Sequence, residues 1–424
     1  MTPIVSVILT SYNKPKTIGK AIESVLNQTF GNWELFIMDD NSQKETVEII
    51  QRYVNDPRIH YINSHIQDSE RYKTTRYATL INEAIPKTKG KYITYLTDDN
   101  IFFPKRFEMM VKVLDQNPNI EIVYSQQLVT WLDENGGVER EAVRRTYGIL
   151  TNPSGLVDHC SIMHSRKIAD DVFNEYGSFW DDNPVNWFNG DAAFWNRLTK
   201  FKPFYPIRTI LDIALKDPES FQRLYTHLPK KIPNGTLVRG LFSDVYIIDN
   251  QKRRKISQDV FYKMKFHPDQ IVRIPDPFLF KYNEGFPVDS QVFSDPSLFP
   301  NQRLIMSPQN PSVYIFQNHK KHLIRNDKAF KDYKFQRNQI VYVSDDFLAQ
   351  IPDGLPIEEM SHEISILPDG VLFHSHSFHY ISLNNHLHPI EKQVAIKLNL
   401  PVSDPVRIDH TFLAKFKQGE PFTW

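Results

Sequence analysis

The first hundred residues alternate between short apolar runs and amphipathic segments. Val5-Ser6-Val7-Ile8-Leu9 reads as a strand, and the segment after it sets Ile18, Ala21, Ile22, Val25 and Leu26 at i, i+3, i+4, i+7 and i+8, one face of a helix. Leu35 to Met38 predicts a second strand, Val47, Ile50 and Val54 a second helix, Ile59 to Ile62 a third strand, Arg76 to Ala84 a helix, and Tyr92 to Leu96 a fourth strand. Alternation of this kind predicts an α/β fold, a parallel sheet with helices packed on its faces.

Ligands of such sheets bind outside the carboxyl ends of the strands. That rule selects Thr10-Ser11-Tyr12-Asn13, Asp39-Asp40-Asn41-Ser42 and Thr97-Asp98-Asp99-Asn100. All three are polar and two are acidic. Adjacent carboxylates at the end of a central strand are costly to bury unless a cation or a hydrogen-bonding ligand compensates them. A divalent metal carrying a diphosphate would do so, although Asp and Asn also favour turns and caps. The sequence holds no G-x-G-x-x-G after the first strand and no G-x-x-x-x-G-K-[ST], which disfavours a dinucleotide oxidoreductase and a P-loop enzyme.

From residue 101 the character changes. Arg106 to Leu114 predicts a helix, Ile120 to Tyr124 a strand, and Leu128 to Leu132 followed by Asn135-Gly136 a hairpin. Aromatic residues then crowd Phe179-Trp180, Trp187-Phe188 and Phe194-Trp195, as expected of a substrate-binding half rich in loops.

The last two hundred residues repeat. Tyr246, Tyr314 and Tyr380 recur about 67 residues apart, and ten residues after each comes Ile256, Ile324 or Ile390. Val272, Val341 and Val406 are each followed after six residues by Phe278, Phe347 and Phe412, and after thirteen by Gly285, Gly354 and Gly419. Each unit reads as a hairpin, a helix, a short strand and a turn, so three small α+β repeats sharing a core are expected over 232–298, 299–366 and 367–424. The expected division is therefore 1–230, with a nucleotide-binding part at 1–100 and an acceptor part at 101–230, and a repeat region at 231–424.

Composition narrows the partners. The 424 residues hold 50 Lys and Arg against 50 Asp and Glu, so no global charge favours nucleic acid or a membrane surface. No apolar run is long enough to span a bilayer, and with no basic stretch followed by an apolar segment before Ile4, no leader is expected. A single cysteine, Cys160, fits a reducing compartment, and a cytoplasmic protein is the expectation.

Residues 5–13, 21–30, 34–42, Thr75-Arg76-Tyr77 and 92–100 resemble the family 2 glycosyltransferases of the GT-A fold. Asp158-His159-Cys160-Ser161, Gly177-Ser178-Phe179-Trp180-Asp181 and Gly190-Asp191-Ala192 are similar to patterns of its spore coat polysaccharide members, and the likeness spans roughly residues 3–225. The resemblance implies a GT-A domain with a mixed, Rossmann-like sheet. It also implies an inverting transfer from a UDP- or dTDP-sugar to a glycan or polysaccharide acceptor in cell-surface or spore coat polysaccharide synthesis. Asp99 would carry Mn2+ or Mg2+ under the donor diphosphate, and Asp98 would bind the ribose or share the metal. Thr10, Ser11 and Tyr12 would frame the base, Tyr12 by stacking, and Asp40 would accept from the pyrimidine N3–H. Of Arg71 and Arg76, one would meet the nucleotide and the other a surface salt bridge, with Arg71 matching the family position better. Asp191 would take the proton of the acceptor hydroxyl, although an Asp there also makes a good helix N-cap. Asp158, His159, Trp180 and Asp181 would line donor or acceptor sugar, with Trp187 a second aromatic for stacking.

Two other functions are weighed. A sugar-nucleotide pyrophosphorylase would open with a Gly-rich loop where this chain has Thr10-Ser11-Tyr12-Asn13-Lys14. A catalytically inactive nucleotide-sugar-binding protein with an interaction or glycan-binding repeat module would not need Asp40, Asp98, Asp99 and Asp191 together. The repeats would serve targeting or homo-oligomerisation. Seven of the fifteen histidines fall between His362 and His410, but His374 and His376 alternate out of phase with His379, and His386 and His388 stand where the first repeat has Lys252 and Arg254, so they are expected on a repeat surface and not around a metal.

Overall fold

A computed structural model of the chain describes residues 2–360 and 364–424 and divides it into two compact units, Met1–Arg223 and Leu224–Trp424. His362 lies outside the described residues. The division falls several residues before the expected 230, because Tyr225, Leu228 and Ile232 already pack into a core of the second unit.

The first unit is built on nine strands: β1 Val5–Ser11, β2 Trp33–Asp39, β3 Ile59–Asn63, β4 Tyr92–Thr97, β5 Asn100–Phe102, β6 Ile122–Leu132, β7 Val138–Arg144, β8 Ile162–Ser165 and β9 Tyr205–Lys216. They form one sheet in the order β3-β2-β1-β4-β8-β6-β9-β5, with β7 on β6. The first four are parallel, as the alternation predicts. Beyond β4 the sheet is mixed, since β8 runs antiparallel to both β4 and β6.

Helices α1 Ile18–Leu26, α2 Lys44–Gln51 and α4 Arg106–Gln116 cover one face, and α3 Arg76–Ala84, α5 Arg166–Tyr176 and α6 Gly190–Leu198 the other. In α1 the predicted stripe Ile18, Ala21, Ile22 and Val25 is fully buried. The two strands predicted at 120–124 and 128–132 are one, β6, because Ser125 and Gln127, both buried and polar, continue it with Gln126 between them, all three paired with β9. Hydrophobic pattern alone breaks there. Its hairpin partner β7 follows a turn in which Gly136 takes φ 82°.

The second unit holds three sheets of four strands. The first is β10 Leu237–Arg239, β11 Tyr246–Asp249, β12 Lys252–Lys255 and β13 Ile271–Arg273; the second is β14 Arg303–Met306, β15 Tyr314–Gln317, β16 Lys320–Leu323 and β17 Ile340–Tyr342. The third is β18 Leu372–Ser375, β19 Phe378–Leu383, β20 His386–Ile390 and β21 Val406–Arg407. All three have one order, β12-β11-β10-β13 and its two counterparts. Each hairpin turns through two left-handed residues, Asn250-Gln251, Asn318-His319 and Asn384-Asn385, a conformation that Asn tolerates well and that matches strand twist. Arg254, His322 and His388 each donate from a side-chain nitrogen to a carbonyl at the next turn, that of Phe286, Leu355 or Glu420. His322 and His388 thus fill a structural position that Arg254 also fills, which is not a ligand's place.

Candidate active site

The loop after β1 and the end of β4 meet, because β1 and β4 are parallel neighbours in register from Val5/Tyr92 to Thr10/Thr97. The backbone N–H of Tyr12 donates to Asp98 Oδ2 at 2.7 Å. Thr97 Oγ1 donates to Asp99 Oδ1 at 2.6 Å, so the two carboxylates are held by different donors. Thr10 and Ser11 are buried at the end of β1.

Burial, and next the neighbouring charge of Asp99, push the Asp98 carboxyl up to about 7. Lys14 opposes this: its ammonium lies 2.8 Å from Asp217 and is drawn towards Asp99 and Asp98 as well, and although burial lowers its pKa these carboxylates raise it overall. Adjacent carboxylates, Asp98 buried and Asp99 half-buried, that one shared lysine leaves under-compensated are a donor set of hard oxygens, the chemistry that Mn2+ or Mg2+ requires, and these residues fit such an ion.

The raised Asp98 value sets a pH test. A carboxyl whose folded pKa lies above its unfolded value stabilises the fold fully only below the unfolded value, and that stability is lost as pH rises through the folded pKa. Asp98→Asn removes the ionisation. Its stability relative to the parent protein should therefore rise between pH 4 and pH 7 in denaturant titrations without metal. A difference that stays flat over that range contradicts the assignment.

Asp40, at the end of β2, is 3 % exposed and takes both arginines. Arg71 Nη1 donates to Oδ2 at 2.7 Å, Arg76 Nη2 to Oδ1 at 2.7 Å, and Ser64 Oγ to Oδ1 at 3.1 Å. This corrects the expectation that one arginine would hold a surface salt bridge, since both are buried. The Arg71 guanidinium also lies 4.1 Å from the centre of the Tyr12 ring, covering one face of it. Tyr12, Asp40 and Arg71 therefore form one contiguous wall.

A second cluster lies at the start of α6. His159 stacks on Tyr77 with ring centres 6.1 Å apart, and Asp158 forms an ion pair with Arg144 at 3.0 Å. Burial alone would raise the Asp158 carboxyl, but His159, Arg144 and Lys216 hold it well below the usual range. Asp191, in the first turn of α6, is pushed the other way: burial raises it and Asp158 adds to this, against the lowering by His159. The two carboxyls of this cluster are thus driven in opposite directions. The Gly190 N–H donates to the Tyr77 hydroxyl at 3.0 Å, and a Cβ at Gly190 would run into that hydroxyl, so only glycine lets α6 start there.

The two clusters adjoin through Thr97 Oγ1, which is 3.7 Å from Cys160 Sγ. Asp158, His159 and Cys160 present ligand atoms within 4.8 Å of one another, but the buried thiol is pushed well above its ordinary pKa. Without a bound ion the thiolate is therefore disfavoured there.

One expected sugar contact does not hold. Trp180 is fully buried, its ring stacked on Phe194 at 4.5 Å, and belongs to the core beneath α6. Asp181 accepts the Asn183 N–H, pairs with Arg197 at 3.6 Å and stays 39% exposed. Lys14, Arg144, Tyr77 and Asp217 had no role in the sequence reading. Lys14 lies in the strand-end loop that the reading selected, whereas the other three reach the site only through tertiary packing.

The model of the family described as "Glycosyl transferase family 2" matches residues 6–173. Protein CgeD of Bacillus subtilis (strain 168) is 38% identical over 419 residues, covering 99% of this chain and 95% of CgeD. The chain belongs to the family 2 glycosyltransferases. As a member, it places the family's match on β1 to β8 and most of α5, and its remaining length is shared with CgeD. The UDP-Glc:alpha-D-GlcNAc-diphosphoundecaprenol beta-1,3-glucosyltransferase WfgD of Escherichia coli is 32% identical over 121 residues, 28% of this chain and 44% of WfgD. Among solved structures, S. aureus TarS 1-349 in complex with UDP aligns over 51% of this glycosyltransferase and 61% of TarS at 15% identity, with a TM-score of 0.37. The first unit is a GT-A-like mixed α/β fold, and no helix among the described residues is long and apolar enough to cross a membrane.

Proposed function

We propose that this glycosyltransferase moves a sugar, with inversion, from a UDP- or dTDP-sugar to a glycan or polysaccharide acceptor. The observation that carries this reading is the Asp98-Asp99 pair at the carboxyl end of β4, facing the β1 loop whose Tyr12 N–H donates to Asp98 at 2.7 Å. In this reading Tyr12 stacks on the base, and Thr10 and Ser11 line its edge. Asp40 fixes Arg71 and Arg76 in place and accepts from the pyrimidine N3–H. Asp99, with Asp98, would hold Mn2+ or Mg2+, which when bound offsets the charge of the departing diphosphate.

Asp191 takes the proton of the attacking acceptor hydroxyl, a role that its raised pKa supports by making it a stronger base than an ordinary carboxylate. Asp158 stays ionised and orients the His159 ring beside the sugar. WfgD's printed activity on a diphosphoundecaprenol-linked sugar supports an acceptor in polysaccharide synthesis, and the single, buried Cys160 suits a cytoplasmic site of action.

The test is release of nucleoside diphosphate from a panel of UDP-, dTDP- and GDP-sugars with manganese and a mixed-glycan acceptor. Turnover with a uridine or thymidine donor is expected. Turnover with GDP-sugars alone would overturn the pyrimidine assignment, and none with any donor would favour the inactive binding protein.

A further inference from the structure

The three sheets of the second unit close on themselves. One core cluster joins the first sheet to the second through Ile247, Phe266, Phe316 and Val341, and another joins the second to the third through Leu304, Ile315, Phe373 and Tyr380. A third returns from the third sheet to the first through Val238, Ile248, Leu372 and Ile381. Three cores for three sheets make a ring, with each sheet facing two neighbours.

At the centre the corresponding turns converge: Pro233-Asn234-Gly235, Pro300-Asn301-Gln302 and Pro368-Asp369-Gly370. The third residue of each takes a left-handed backbone, with φ of 88°, 61° and 83°. In the second turn that residue carries a side chain, and the Gln302 carboxamide lies against both Gly235 and Gly370 and donates to the Asn234 carbonyl at 3.1 Å. Around this point lies a cavity of about 420 Å³ lined by all three sheets, within the usual range for small-molecule sites of roughly 300–1,000 Å³.

The residue after each turn faces the same question, and the three answers differ: Thr236, Arg303 and Val371. Arg303 breaks the threefold pattern by placing a cation among the lining residues. Its Nε is buried without a hydrogen-bond partner, and no carboxylate among the described residues lies within ion-pair distance. The charge nearest to it is Asp249, whose two oxygens are already taken by Arg254 at 2.7 Å and Asn301 at 2.8 Å. What the guanidinium does have is the Phe266 ring, 4.7 Å from its carbon. Burial lowers the Arg303 pKa to about 10, the mark of a cation short of compensation.

Of the other charges at the cavity, Lys265 is exposed and Lys334 and Asp369 have partners. Lys334 pairs with Asp404 at 2.5 Å, and the Asp369 carboxylate accepts the Asn384 N–H at 2.7 Å. The rest of the polar lining is carboxamide and hydroxyl: Asn234, Thr236, Gln336, Gln339 and Asn399. A half-buried guanidinium whose Nε lacks a partner is matched by an oxyanion, which it can grip through two parallel N–H groups. Carboxamides around it suit hydroxyl groups, which donate and accept as carboxamides do.

We propose that the cavity at the centre of the three-sheet ring binds an anionic saccharide of one or two units, its carboxylate or phosphate on Arg303 and its hydroxyls on the surrounding carboxamides. Such a ligand lets the second unit recognise charged glycan independently of the nucleotide site in the first.

The experiment is calorimetric titration of the full chain with glucuronate, glucose 6-phosphate and neutral glucose, each with and without saturating UDP and manganese. At least one anionic probe is expected to bind in the millimolar range or tighter, undiminished by UDP, with glucose at least tenfold weaker. Preference between the two anions identifies carboxylate or phosphate as the natural group. Arg303→Gln should weaken the anionic probe at least tenfold while keeping its unfolding transition. Should that variant fail to fold, hydrogen exchange on the parent chain decides: the probe is expected to protect the amides of 234–237, 302–304 and 369–372. The proposal is overturned if neither anion binds at 10 mM probe (about the weak limit of such sites), if glucose binds equally, if folded Arg303→Gln binds unchanged, or if protection falls elsewhere.

Discussion

Asp191→Asn should bind nucleoside diphosphate as the parent enzyme does and transfer sugar about 10²–10⁴-fold more slowly, the usual worth of a positioned general base. Asn keeps the shape of the side chain and its bond to the Ala192 N–H at 2.8 Å, so α6 should start as before. It loses only the ability to accept a proton. The carboxyl of Asp191 is buried, and its pKa is raised by that burial and by Asp158 against the opposing pull of His159. Turnover should therefore rise with pH through an ionisation above the ordinary carboxylate range, and that limb should vanish in the variant. Unchanged turnover would remove Asp191 from the chemistry and leave it as a helix-terminal residue.

The largest effect on stability is expected at Arg106. This side chain and Asp212 are both fully buried and paired at 3.0 Å, and the same guanidinium donates to the Cys160 carbonyl at 2.6 Å and the Ile162 carbonyl at 3.1 Å. It thereby ties α4 and β9 to the turn that carries Asp158 and His159. Arg106→Met would leave Asp212 buried without its cation, a loss of about 3–5 kcal/mol by precedent for broken buried pairs. The Asp212 carboxyl already sits at about 6, raised by burial against the pull of Arg106, so it can escape by taking a proton. The cost should accordingly be smaller at pH 5 than at pH 8. Adding Asp212→Asn should recover most of it, because removing both charges removes the uncompensated one. Denaturant titrations of the single and double variants at the two pH values measure this, and a single-variant loss below ~1 kcal/mol would show that the pair holds nothing together.

What could be read from the sequence was whatever repeats at short range. The stripe of Ile18, Ala21, Ile22 and Val25 is the buried face of α1, and the strand-end rule led to Thr10, Asp40 and Asp98, which β1, β2 and β4 bring side by side. The spacing of Tyr246, Tyr314 and Tyr380 led to the hairpins of three sheets of one order. What escaped depends on contacts between distant segments. Trp180 looked like a stacking surface because nothing local tells an aromatic in a loop from one that closes the core against Phe194. Arg76 looked like a helix-surface residue because its partner, Asp40, is 36 positions away. The short first strand of each sheet, β10, β14 and β18, carries too few residues for alternation to register, and so the ring it completes was invisible.

The central claim is that the edge of the sheet at Asp98 and Asp99 holds a pyrimidine nucleoside diphosphate together with a divalent ion. Equilibrium binding of UDP, dTDP, GDP and ADP to the full chain, with manganese and with chelator, tests it most directly. UDP or dTDP is expected to bind with manganese and to weaken at least tenfold in chelator, with GDP and ADP weaker than either, and Asp99→Asn is expected to abolish the manganese dependence. Equal binding of all four nucleotides, or pyrimidine binding indifferent to both manganese and Asp99, would contradict the account.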